Sequence, residues 1–178
     1  MEAILSFIPV PVAVILMAAG FVSLAVGGIR LGYKATVKNL ALDLVNVRLL
    51  LEPGMAEMAA LNASDEDIER IQRLCDRVEN KIHSGDLYIE DDIAFHTCIA
   101  ESSKNMVVEQ LIPIIDTAVM MFVNVTHKKL TEETILTHRM ITEAIARHDP
   151  IGARSAMVMH LNFNRNCIRK LYDGEWEN

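Results

Sequence analysis

From Leu40 onward the apolar residues of this chain recur every three or four positions, in successive blocks separated by capping residues. That spacing is the period of one face of an α-helix, and no stretch alternates as a strand does. The first block predicts a helix over about 37–61 with Leu40, Leu44, Val47, Leu50 and Leu51 on one side. Pro53-Gly54 should kink or interrupt it. Ser64 is placed to cap a second helix, with Asp65, Glu66 and Asp67 in its first turn and Ser84-Gly85 as its stop signal. A third helix spans about 87–102. A fourth begins at Asn105 with a bend expected at Pro113, a fifth is capped by Thr131, and a sixth starts at Asp149-Pro150. The expected fold is an all-α antiparallel bundle of about six helices.

The segment before this body is different in kind. Ala3 to Ile29 contains no charged residue and is long enough to cross a bilayer as a helix. Arg30, Lys34 and Lys38 follow it, which by the positive-inside tendency keeps the body in the cytoplasm. Two other readings stand beside a membrane helix over 3–29: a buried helix packed into a dimer, and a stretch replacing a lost N-terminal domain. The organisation expected is an apolar segment over 1–36, a helical domain over 37–172 and a tail over 173–178.

From Arg30 onward the chain has 17 basic and 23 acidic residues. An acidic body repels phosphate backbones, so the domain is a poor candidate for nucleic-acid binding by itself. Cys75, Cys98 and Cys167 are odd in number and lack paired spacing, which suggests a reducing compartment and no disulfide framework.

Chemistry concentrates on inner faces. Asp92 and His96 are four residues apart, so a helix stacks a carboxylate and an imidazole on one side, among Ile89, Ile93, Ile99 and Ala100. A buried aspartate needs a cationic partner. His138 lies on the face of Ile135, Ile141 and Ile145, and His160 on that of Ala153, Ala156, Met157, Phe163 and Cys167. One carboxylate and three imidazoles from three helices suit a divalent metal: Zn, Ni, Mn or Fe, with Zn the first choice. Taken singly, each histidine is as well explained as a core imidazole bonded to a backbone carbonyl.

The same residues carry a resemblance. Val47-Arg48-Leu49-Leu50-Leu51-Glu52-Pro53, Ala59-Ala60, Asp92-x-x-Phe95-His96, Asn105, His138 with Ile141 and Ala144-Ile145, Asp149, Ala153 and Met159-His160-Leu161 resemble, in order and spacing, the FCD domain. That domain is the ligand-sensing C-terminal half of FadR-subfamily GntR transcriptional regulators, and the likeness covers about residues 40–170. It implies a helical bundle that dimerises and binds a small organic acid. It also implies that the positions of Asp92, His96, His138 and His160 hold a divalent metal whose shell an effector carboxylate completes. Arg48 is then a carboxylate partner, with a surface ion pair to Glu52 as the ordinary alternative. Asn105 is either a ligand contact or a helix cap.

Family members carry a winged helix-turn-helix ahead of this domain. Here about 40 apolar residues precede it, so direct DNA binding is not expected of them. The expectation is a metal-assisted sensor and not an enzyme. A metal-dependent hydrolase would need a general base, and no second acid is evident on the inner faces; a metal-free structural bundle is the third reading.

Overall fold

The computed structural model describes residues 28–126 and 130–173. Among them are seven helices and no strand: α1 (Gly28–Asn62), α2 (Asp65–Ser84), α3 (Ile89–Ser102), α4 (Met106–Glu109), α5 (Ile112–Thr126), α6 (Thr131–Ala146) and α7 (Pro150–Asp173). The expected all-α bundle is the fold observed. The chain divides into two compact units, residues 1–39 and 40–178, and the core described below lies in the second. Among the described residues no helix is long and apolar enough to cross a membrane. The span expected over 3–29 lies outside them except for its last two positions, and residues 174–178 of the tail lie outside them too.

Several boundaries follow from local chemistry. Ser64 and Asp67 form a reciprocal capping box at the start of α2, the Ser64 hydroxyl accepting from the Asp67 N–H at 3.2 Å and Asp67 Oδ2 accepting from the Ser64 N–H at 3.0 Å. Gly85 ends α2 in the left-handed region at φ 76°, where a Cβ would strain the backbone. Asp149 accepts from the Gly152 N–H at 2.9 Å and so caps α7.

Three expectations need correction. α1 runs through Pro53, so of the kink or interruption expected there it is the interruption that does not occur. The bend expected at Pro113 is a full break: Gln110 and Leu111 form a turn, and α5 restarts at Ile112. Proline in the second position of a helix forfeits nothing, since first-turn N–H groups have no partner within the helix. Thr131 is the first residue of α6, and Leu130 occupies the cap position without a side-chain bond.

The core gathers around α1. Ala56, Ala59 and Ala60 share one buried cluster with Ile71 of α2, Phe95 and Ile99 of α3, Ile141 and Ile145 of α6, and Ala153, Met157 and Leu161 of α7. The three alanines of α1 are fully buried in this cluster. Here the sequence reading chose the wrong face. Leu40 and Leu50 are exposed, Leu50 by 81%, and the buried stripe of α1 runs Ala41, Val45, Arg48, Glu52, Ala56, Ala59. Those positions keep the three-to-four spacing of a helix face, but two of the six are charged.

Asp67 supplies a test of the capping chemistry. Burial would raise its pKa, but Lys104, 2.5 Å away, and Ser64 hold it at about 2. A folded-state pKa below the unfolded value of 3.8 contributes stability above that value, and the contribution is lost as the pH falls through about 2. Asp67→Asn is expected to lower the unfolding free energy at pH 7 by about 1 kcal/mol. Urea melts across pH should show the deficit shrinking between the two pKa values and closing below the lower.

A buried histidine cluster with unpartnered polar atoms

Four helices contribute to one buried centre. α3 brings Asp92 and His96 on one face, as their spacing predicts, together with Phe95. α6 brings His138 and Thr137, α7 brings His160 and Asn164, and α1 brings Arg48 and Glu52. None of these side chains is more than slightly exposed; His138 is fully enclosed.

The three imidazoles sit against one another, with ring centroids 5.5 Å apart for His96 and His138, 5.2 Å for His96 and His160, and 4.9 Å for His138 and His160. Each offers one nitrogen within 4.8 Å of the others. Phe95 stacks on His138 at 4.2 Å and fixes the plane of that ring. Thr137 fixes His160 in another way. Its hydroxyl donates to the Glu133 carbonyl at 2.6 Å, so towards His160 Nδ1, 2.9 Å away, the oxygen must accept. His160 therefore carries its proton on Nδ1 and keeps a lone pair on Nε2, which lies 3.2 Å from Asn164 Nδ2.

His138 and Asp92 are less well provided for. Neither ring nitrogen of His138 has a hydrogen-bond partner among the described residues, and nor does Asp92 Oδ1. The two residues do face each other, His138 Nε2 lying 3.4 Å from Asp92 Oδ1. That distance is too long for an effective hydrogen bond, so the contact is an approach between unsatisfied groups.

On α1, Arg48 Nε lies 2.5 Å from Glu52 Oε1, and His96 Nδ1 lies 2.8 Å from Glu52 Oε2. The centre thus holds one guanidinium against two carboxylates. Burial would raise the Glu52 pKa, but Arg48 and His96 bring it down to about 2. For Asp92 burial prevails, pushing the carboxyl upward against His96 and Arg48, and the charge on Glu52 adds to the effect. Burial also drives His138 and His160 well below the ordinary imidazole value, so both are neutral and able to donate lone pairs. Neighbouring acids show the contrast. Asp91, equally buried, is bridged by Arg77 and Lys81 of α2, while among the described residues no lysine or arginine bridges Asp92.

Such a set suits a divalent cation. It has three imidazoles, two of them held neutral, and a carboxylate with an unpartnered oxygen. The residues singled out in the sequence are distributed as follows. His96, His138 and His160 come together as a group, and Asp92 reaches it through His138. Arg48 joins on the side of His96, its Nη2 lying 3.1 Å from His96 Nε2. Asn105 does something else: its side-chain oxygen accepts from the Val107 N–H at 3.0 Å and caps α4.

The second acid that seemed missing from the inner faces is Glu52. The signal for it was present, because Glu52 lies one turn from Arg48 and two from Val45 on the buried stripe of α1. Its ion pair with Arg48 forms as the spacing allows, but in the core instead of at the surface.

The fold is an all-α bundle around a buried polar centre. The FCD domain model matches residues 43–163. The chain belongs to this family. It is similar to the uncharacterized HTH-type transcriptional regulator YcbG of Bacillus subtilis, with 31% identity over 73% of this chain and 55% of that protein. It is also similar to the HTH-type transcriptional regulator LutR of the same organism, with 30% identity over 67% of this chain and 58% of the relative. The chain spans about half the length of the curated relatives it matches. Among solved structures, Streptococcus agalactiae GntR superposes with a TM-score of 0.64 at 30% identity, over 73% of this chain and 60% of that one.

The buried and surface ion pairs should behave differently. Arg48→Ala leaves Glu52 charged and enclosed, and is expected to lower the unfolding free energy by about 3–5 kcal/mol. Arg73→Ala breaks the exposed pair with Glu69 and should cost about 0.5 kcal/mol or less. Denaturant melts of the two variants check the contrast.

Proposed function

We propose that this domain senses a small organic acid through a divalent metal held by His96, His138, His160 and Asp92, with Arg48 as a second contact for the effector carboxylate. The observation carrying this reading is the set of unsatisfied buried groups, Asp92 Oδ1 and both ring nitrogens of His138, beside two other imidazoles. A bound metal supplies a Lewis-acidic centre with positions open to a carboxylate. The protein residues supply the rest. Thr137 orients His160, Phe95 orients His138, and Arg48 offers a planar donor fork that matches a carboxylate.

Family membership and the relatives' names support a role in transcription regulation. In that role, ligand binding favours one arrangement of the bundle, acting through a homodimer in the cytoplasm. A hydrolytic reading gains nothing from Glu52. With a pKa of about 2 it is too weak a base, and its oxygens are engaged by Arg48 and His96. A non-enzymatic sensor remains the reading.

Metal analysis of the whole purified chain tests the site. About one divalent ion per chain is expected for the wild type, and much less for the His138→Ala, His160→Ala double variant. Zinc-loaded protein should then gain thermal stability with a subset of small carboxylic acids, and Arg48→Gln should abolish that gain. A wild type that takes up no metal after reconstitution defeats the reading.

A further inference from the structure

We propose that Glu52 is a positioning residue of the centre: its carboxylate holds His96 as the Nδ1–H tautomer and anchors Arg48, leaving Nε2 as the one lone pair His96 can give a metal. This rests on the metal-assisted reading above, although the tautomer can be read with no metal present.

A neutral imidazole carries a proton on one nitrogen and a lone pair on the other. His96 Nδ1 lies 2.8 Å from Glu52 Oε2, and His96 Nε2 lies 3.1 Å from Arg48 Nη2. A carboxylate, once ionised, only accepts, and a guanidinium only donates. Glu52 therefore calls for the proton on Nδ1. Arg48 Nη2, 3.1 Å from Nε2 and 3.4 Å from Nδ1, faces both ring nitrogens instead of lying along either lone pair, so it leaves Nε2 free to accept elsewhere. Ionised Glu52 is assured by its environment, since Arg48 engages both oxygens, Nε at 2.5 Å and Nη2 at 3.3 Å.

The consequence is a division of labour. Nδ1 is committed, so His96 can meet a cation only through Nε2. Arg48 has its own anchor on Glu52 through Nε, independent of His96. One carboxylate thus sets a metal ligand and braces the proposed effector contact. Carboxylates that accept from the far nitrogen of a ligating histidine fix its orientation and raise its basicity, and their removal typically weakens metal binding about 10–100-fold.

The test compares Arg48→Met, Glu52→Gln with Arg48→Met, Glu52→Leu. Both double variants remove Arg48 and the Glu52 charge together, so neither strands one partner of that ion pair in the core. They differ in whether an oxygen remains to accept the His96 Nδ1–H. Long-range 1H–15N NMR of chelator-treated whole chain reads the tautomer directly. The wild type and the glutamine variant should show the Nδ1–H form, and the leucine variant should shift towards Nε2–H. Competition titrations with Zn2+ should find the leucine variant about 10–100-fold weaker than the glutamine variant.

A wild-type His96 in the Nε2–H form overturns the proposal, as does the same tautomer and the same zinc affinity in both variants. If the leucine variant does not fold, the wild-type spectrum still decides the tautomer. If the wild type binds no zinc while His96 is Nδ1–H, the metal reading falls and the assignment of Glu52 to His96 stands.

Discussion

The structure turns on ionisable groups in a place that water does not reach. Arg48, Glu52 and Asp92 are all enclosed around a histidine cluster. Removing a charge from water costs several kcal/mol even after relaxation, and a pair recovers that cost only with close contacts and satisfied hydrogen bonds. Arg48 and Glu52 meet that condition, while Asp92 is left with an unpartnered oxygen and a raised pKa. A core built for stability alone would place an apolar residue there. Retaining Asp92 fits a centre completed by something outside the polypeptide.

The rest of the fold can be read as what makes that centre affordable. Ala56, Ala59 and Ala60 on α1 draw α2, α3, α6 and α7 into one apolar cluster, which supplies the packing that offsets the polar interior. The outer polar groups are well paired. Asp91 is bridged to α2, Arg70 of α2 to Glu101 of α3, and Arg139 of α6 to Asp76 and Glu79 of α2. Among the described residues the inner set holds three of the six buried side-chain atoms that lack a hydrogen-bond partner, the others being Asp91 Oδ2, Thr142 Oγ1 and Arg165 Nε.

How much of this was legible depended on the kind of signal. Helical period, the Ser64 cap, the Gly85 stop and the Asp149 cap are local, and each sat where its chemistry demanded. His96, His138 and His160 were legible because histidines on apolar faces are conspicuous, and the family resemblance pointed to the same positions. Glu52 was missed for the opposite reason. A glutamate four residues from an arginine reads as a solvated helix pair, and only the tertiary burial of α1 shows that its stripe passes through the core. Leu40 and Leu50 misled in the complementary way: apolar residues are common on protein surfaces, so hydrophobicity alone did not name the inner face. Asn105 offered two plausible roles, and its bond to the Val107 N–H identifies the cap.

The placement of the centre also bears on how sensing would work. Its residues come from α1, α3, α6 and α7, whose apolar contacts form a single core, so no ligand group can move without shifting a helix packed against the others. Tightly packed interiors rearrange between discrete arrangements more readily than they deform gradually. A carboxylate that recruits Arg48 would change the balance between α1 and α3, because Arg48 on the first is bonded to His96 on the second. A group that partners Asp92 and His138 would thereby also set the relation between helices. On the proposed reading, that shared dependence turns occupancy of a small buried site into a change of the whole bundle.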